Sequence, residues 1–294
     1  MNNRKPLADS IFDIMIYAYL MTAVILTVYP IFFMFIASVS DPFAVSSGKV
    51  IWHPVGLTLE GYSRIFGDAR IMSGYVNSIF ITLSGTVISI SIMLPAAFAL
   101  SRKELKGRNI IMIAITFTMY FSGGIMPLYL VVKSLRLLNQ IWSVIFPGAI
   151  VTYYLIVTRT FFSNSIPEEL FEAATMDGFS YTRFFIYIVA PLSKSIVAVM
   201  ILFYAVGYWN GYFAALMYLT DEKRFPIQLI LRGLLLESQA VAMAGDDFAL
   251  AEKTKIAELI KYGVSIAACL PVIVIYPFIQ KYFVQGVMIG SVKG

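Results

Sequence analysis

The chain has 294 residues, 59% of them hydrophobic and 13% charged, with a mean hydropathy of +0.80. Soluble domains carry about 25% charged residues, so this composition excludes an ordinary soluble domain and indicates a polytopic membrane protein. The net charge of +5 is spread along the chain; it reads as membrane orientation, not nucleic-acid binding, and a single cysteine, Cys269, excludes an intramolecular disulfide.

Six apolar runs are long enough to cross a bilayer core of about 30 Å, which takes about 20 residues. They lie near 14–38, 75–99, 110–132, 141–161, 195–219 and 259–282. The first follows Arg4 and Lys5 and is about 25 residues long, beyond the about 7–15 of a cleavable signal core. Ala37-Ser38-Val39 is a poor cleavage match, so a retained helix is expected. No repeat or low-complexity linker interrupts the sequence. Residues 1–294 are therefore expected to form a single all-α domain, a polytopic membrane helical bundle with about six transmembrane helices.

After the first run, Ser40 to Gly74 contains Asp41-Pro42, Trp52, His53-Pro54 and Tyr62. It either docks a partner or caps the bundle. His53 has no Cys, His or Glu neighbour at ligand spacing, so no metal site is expected. The second connection carries Arg102, Lys103, Lys106 and Arg108 against Glu104. The positive-inside rule places it in the cytoplasm, and alternation puts both termini and the 162–194 segment on the same side.

In the third run, Gly123-Gly124 and then Pro127 follow Tyr120; glycine and proline weaken a helix there. A pathway bend and a plain helix end both fit. The fifth run holds Tyr204, Tyr208, Trp209, Asn210 and Tyr212, with Gly207 and Gly211 at GxxxG spacing for close helix approach. Aromatic rings stack on the C–H faces of sugars, and an amide in an apolar span needs a partner. Tyr120, Tyr204, Tyr208, Trp209, Asn210 and Tyr212 are therefore the candidate substrate-pathway residues; helix packing is the competing reading. Between the fifth and sixth runs, Thr220 to Glu258 opens with Asp221-Glu222-Lys223-Arg224 and continues into an apolar stretch near Ile227–Leu236. That stretch suits an interfacial or re-entrant helix.

The interiors of the runs contain essentially no Asp, Glu, Lys, Arg or His. Ion-coupled carriers place such groups at midplane, so no relay is expected. HExxH, GxSxG and the GxxxxGK[ST] loop are missing from the sequence. The chain is thus read as no enzyme; if it transports actively, the energy has to enter through another subunit.

Between the fourth and fifth runs lies Ser165 to Leu192. Ser165 and Glu168 have capping-box spacing around Pro167, and Ile166, Leu170 and Ala174 recur at helical spacing. Ala173 and Ala174 leave room for another surface to approach. Gly178 is placed to end this helix in a left-handed bend, and a second helix is expected from Tyr181 towards Pro191, entering the membrane.

Glu172-Ala173-Ala174, three residues, Gly178, nine residues, Ile188 and then Pro191 resemble the EAA loop of binding-protein-dependent ABC import permeases. Ala190 stands where that family usually has leucine. Ala96–Arg108, Gly123–Leu130, Phe203–Asn210 and Gly286–Gly294 are similar to the carbohydrate branch, to maltose-type second permeases and Gram-positive oligosaccharide permeases. The resemblance implies the type I ABC importer permease fold, in a bacterial cell membrane. It implies a cytoplasmic coupling loop over 163–192, with Glu172, Ala173, Ala174, Asp177, Gly178 and Pro191 as the ATPase-coupling residues. It also implies a C-terminal tail, Gly290, Ser291, Val292, Lys293 and Gly294, that reaches the ATPase dimer. The implied partners are a homologous second permease, two ABC ATPase subunits that bind ATP and Mg, an extracellular solute-binding lipoprotein and a carbohydrate substrate. The chain itself would hold no cofactor. A permease for a non-sugar solute, or a membrane scaffold that transports nothing, remains the alternative.

Overall fold

The structure, a computed structural model, describes residues 7–243, 261–274 and 277; among them the regular elements are helices. Two helices, Ile11–Ser38 and Ala69–Ser101, are long and apolar enough to cross a membrane on their own. Three bent pairs bring the total to as many as five, and the shorter apolar helix Lys261–Val274 follows. The run expected near 259–282 is described only over that last helix. The protein divides into two units, one of residues 7–68, 231–243 and 261–269, the other of 69–230, 270–274 and 277.

In the first unit, α1 (Leu7–Ser38) carries Pro30 inside it. Its outward residues are apolar; Tyr17, Tyr19 and Leu26 are each more than two-thirds exposed. Such a surface suits lipid or a partner helix. The chain then turns through α2 (Pro42–Ser46), whose N-cap Asp41 accepts from the Ala44 N–H at 3.2 Å. Ile36, Ala44 and Val50 form a small core there. Trp52 packs on Tyr29 with ring centroids 5.0 Å apart. Residues 40–68 thus fold back on α1 and add α3 (Glu60–Gly67), while the last residues of the expected 40–74 connection are already helical and belong to the other unit. His53 is exposed.

The second unit is built on α4 (Ala69–Ser101). Its remaining helices are α5 (Arg108–Tyr120), α6 (Ile125–Ser134), α7 (Trp142–Gly148), α8 (Thr152–Ser165), α9 (Glu168–Met176), α10 (Tyr181–Leu192), α11 (Lys194–Asn210) and α12 (Phe213–Tyr218). Then α13 (Ile227–Met243) begins, and the last described helix is α14 (Lys261–Val274). Lipid tails are as apolar as leucine, so close packing and small residues hold helices together in a membrane. α8 and α11 both pack on α4. The close approach uses Gly85: a Cβ there would sit 2.8 Å from the Tyr208 ring. The GxxxG pair does not do this job. Gly207 meets nothing within 4 Å, and Gly211 lies past the end of α11. Cys269 is exposed on α14, not packed.

The break expected near Gly123 is present. α5 and α6 meet at 113° across Phe121–Gly124, with Gly124 at φ +85°. The fourth run also bends, by 49° at 149–151, and the fifth ends at Gly211 before α12. The apolar stretch after Thr220 is helical, and its first turn seats on α4. Ser78 Oγ accepts from the Ile227 N–H at 2.9 Å, and a Cβ at Gly74 would lie 3.2 Å from Ile227 Cα.

Candidate coupling site and substrate pathway

α8 runs through Ser165, so that serine ends one helix and does not cap the next. Ile166 (φ −111°, ψ 99°) and Pro167 (φ −59°, ψ 149°) are extended, the geometry a proline imposes on the residue before it. The capping box read from Ser165 and Glu168 therefore does not form. Glu168 instead receives Lys103 Nζ at 2.5 Å, tying the start of α9 to the loop after α4. The Lys103 hydrogen bond and charge hold the Glu168 carboxyl below the usual carboxylate range, and Glu168 in turn raises the Lys103 ammonium.

The nine residues of α9 divide cleanly. Ile166 and Ala174 are 4% and 3% exposed and, with Leu170 and Phe171, join the main core of the unit. Glu172, Ala173, Thr175 and Met176 face outward, Met176 at 89%. The two alanines thus do different work: Ala174 lets α9 lie close on its own bundle, and Ala173 is the one left open to another surface.

Below α9 is a cluster of phenylalanines. Phe171 meets Phe184 at 5.1 Å and stacks on Tyr181 at 4.8 Å. Phe98, near the end of α4, meets Phe184, Phe185 and Phe162 at 6.1, 5.2 and 6.3 Å. Offset and edge-on rings at these distances add about 0.5–1.5 kcal/mol per pair beyond their buried area. Through them α9 is joined to α4, α8 and α10.

The end of α9 is a Schellman turn. The Phe179 N–H donates to Ala174 O at 2.9 Å and the Gly178 N–H to Thr175 O at 3.0 Å, with Gly178 at φ +79°. These two bonds satisfy carbonyls the helix leaves open. Asp177, exposed, precedes the bend. Ser180 then caps α10, accepting from the Arg183 N–H at 3.4 Å. Phe185–Val189 form a π turn just before Pro191. A proline ring clashes with the carbonyl four residues back and lacks its own N–H, and a π bulge accommodates both. α10 does not continue into the membrane as one helix: at the buried Ser193 it turns by 85° into α11.

The candidate pathway residues separate. Tyr204 is 3% exposed and its hydroxyl accepts from the Val151 N–H at 3.2 Å. Tyr208 Oη donates to Ile145 O at 3.2 Å and lies 2.9 Å from Ser89 Oγ. Trp209 is buried, 6.5 Å from the Tyr75 ring. These three rings pack the unit together. Tyr120, Asn210 and Tyr212 are exposed, at the break after α5 and at the end of α11. The tail Gly290–Gly294 lies outside the described residues.

Two polar residues hold the turn before α13. Asn77 Nδ2 donates to Lys223 O at 2.8 Å and Phe225 O at 3.1 Å. Asn139 Oδ1 accepts from the Thr220 and Asp221 N–H groups at 3.1 and 3.0 Å. Asparagine inside or beside an apolar run was the available signal, since an amide there needs partners. Among the described residues, none of the His, Cys, Asp and Glu side chains cluster in a way that would hold a metal ion.

No protein-family model matches the chain. It is 40% identical over 287 residues to the polygalacturonan/rhamnogalacturonan transport system permease protein YtcP of Bacillus subtilis (strain 168), covering 97% of this chain and 99% of that one. It is 37% identical over 294 residues to protein LplC of the same organism, covering 100% and 98%. Among solved structures, a chain of a bacterial ABC transporter involved in the import of the acidic polysaccharide alginate superposes with a TM-score of 0.86 at 30% identity. That match covers 96% of this chain and 100% of the other.

Proposed function

This chain belongs to the carbohydrate ABC transporter permeases, and from that membership we propose that it forms half of the pathway through which an oligosaccharide enters a bacterial cell. The observation that carries the mechanism is α9. Its inner face is built into the Phe98–Phe162–Phe184 cluster, and its outer face, Glu172, Ala173, Met176 and Asp177, is left free for a partner. An element joined so firmly below and so open above suits a lever.

In this reading α9 and both termini face the cytoplasm, α9 docks on one of two ABC ATPase subunits, and ATP and Mg are held there. A homologous second permease completes the pathway, and an extracellular solute-binding lipoprotein delivers sugar to its outer mouth. Closure of the ATPase dimer pulls α9, and the packed helices α4, α8 and α11 move with it. Moving a two-state bundle from mostly one state to mostly the other takes about 5.5 kcal/mol of differential binding; the aromatic cluster and the Lys103–Glu168 pair are what would transmit it. Of the pathway candidates, Asn210, Tyr212 and Tyr120 are the exposed ones and are assigned to contact with the sugar, and the tail Gly290–Gly294 is assigned to the ATPase dimer.

Reconstitution of the four-subunit transporter with its binding protein tests this. Uronic-acid and neutral oligosaccharides should be compared. Stimulation of ATP hydrolysis and uptake by one class supports the reading and names the substrate. Assembly without any sugar-stimulated hydrolysis would leave only a scaffold.

A further inference from the structure

Three arginines meet where α4 ends. Arg159 Nε donates to Leu100 O at 3.2 Å, Arg108 Nη1 to Ser101 O at 3.5 Å, and Arg102 Nε to Ser101 Oγ at 3.4 Å. Cations there offset the partial negative charge of the last carbonyls, so capping is part of their role. Capping uses one N–H from each, and a guanidinium has five.

The same arginines line a cavity of about 400 Å³ together with Lys103, Ser163 and Asn164. Its carboxylates are Glu104, Glu168 and Glu169. Glu168 is bonded by Lys103 and also feels the charge of Arg102; among the described residues no salt bridge reaches the three arginines. Arg102 is only 7% exposed, with its guanidinium 5.4 Å from the Phe98 ring centre. A charge so buried is costly unless it is paired and hydrogen-bonded, and its nearby carboxylate, Glu168, is already shared with Lys103.

Arg102 and Glu104 also border a second cavity of about 540 Å³, whose remaining walls include Pro95, Phe98, Leu105, Phe185 and Ile186. A cationic cavity and an apolar groove therefore share one buried guanidinium. Arg108 opens α5, and Ile110 and Ile113 just beyond it are 74% and 70% exposed, marking the edge of the apolar belt.

We propose that the two cavities together bind an anionic phospholipid, its phosphate bonded by Arg102, Arg108 and Arg159 and an acyl chain in the groove beside Phe98 and Phe185. Ile166, Pro167 and Glu168 also line the cationic cavity. The lipid therefore stands at the root of α9, where it fixes the joint between that helix and α4. The site is independent of which solute the protein carries.

Native mass spectrometry of the complete transporter, titrated with phosphatidylglycerol against phosphatidylcholine, tests it. Phosphatidylglycerol should be retained in preference, and Arg108→Gln should weaken its binding about tenfold, the effect of one lost charge-assisted bond. Arg159→Gln should do the same and serves if Arg108→Gln fails to assemble. Lys106→Gln, on the same loop but outside both cavities, should leave the affinity unchanged. Equal affinity in wild type and both arginine variants would overturn the proposal, as would an equal loss in Lys106→Gln, which would mean general surface charge. Displacement of the lipid by inorganic phosphate alone would make this a free-phosphate site and overturn the lipid assignment.

Discussion

Substitution at Gly178 separates coupling from folding. Gly178 sits at φ +79°, and a Cβ built on it meets no atom within 4 Å. The cost is therefore backbone strain alone, about 1–2 kcal/mol for an L residue, with Asn and Asp at the low end because they enter that region most readily. A carboxylate adds about 0.3–1 kcal/mol, since it faces the negative end of α9. If the surface is buried against an ATPase subunit, an unpaired charge costs about 3–5 kcal/mol more. That brings Gly178→Asp to the about 5.5 kcal/mol of differential binding needed to drive a two-state bundle from one state to the other, whereas Gly178→Asn stays near the strain value. Uptake by proteoliposomes holding the complete transporter is the assay, with sugar affinity of the isolated binding protein measured alongside. Gly178→Asn should lose less than about tenfold. Gly178→Asp should abolish uptake, with the binding protein unaffected. Normal uptake in Gly178→Asp would refute the coupling role; equal abolition in both would show that bend geometry, not a buried docking surface, is what matters.

Gly85→Ala should destabilise the chain by about 1–3 kcal/mol through overpacking, because its Cβ would fall 2.8 Å from a Tyr208 ring fixed by Ser89 and Ile145; thermal unfolding in detergent reads this, and Gly207→Ala should show no such loss. Asn77→Ala leaves the Phe225 carbonyl without its Nδ2 donor and the Lys223 carbonyl with Ser73 Oγ alone, a loss of about 0.5–1.5 kcal/mol per hydrogen bond, and amide exchange over 220–227 should quicken while the rest of α4 stays protected. The Lys103–Glu168 pair has a defined pH window. The Glu168 carboxyl is depressed, so its contribution is present above the unfolded carboxylate pKa and lost as pH falls through the lower folded value. The Lys103 ammonium is raised, so its contribution is lost only as pH rises through that raised value. The protection factor at the start of α9, that is exchange corrected for its intrinsic base-catalysed rate, should therefore be flat from about pH 6 to about pH 9 and fall in acid; a change in protection within that window would contradict the pairing.

What the sequence disclosed was local chemistry. Pro167, Gly178 and Pro191 act on the backbone within a few residues, so the helix, its left-handed end and the following helix were all readable. The break at Gly123-Gly124 was readable for the same reason. Ser165 misled because capping spacing cannot report that the previous helix continues to meet it. Gly85 and GxxxG differ only in what stands opposite: Tyr208 covers one, and nothing lies within 4 Å of Gly207. Likewise the pathway tyrosines could not be sorted by composition, since Val151 and Ile145, which bond Tyr204 and Tyr208, come from the distant fourth run. The arginines at the end of α4 were legible as an orientation signal and not as a cluster, because Arg159 joins them from α8.

The most direct test of α9 as the joint to the ATPase is a crosslink. In a Cys269→Ser background, Met176→Cys places a thiol at a position of α9 that is 89% exposed. In the assembled transporter it should join to the ATPase subunit through a short thiol–amine reagent, with a yield that changes between nucleotide-free and ATP-bound states. A transporter that still hydrolyses ATP in response to sugar, while Met176→Cys reacts only with solvent in every state, would contradict the account.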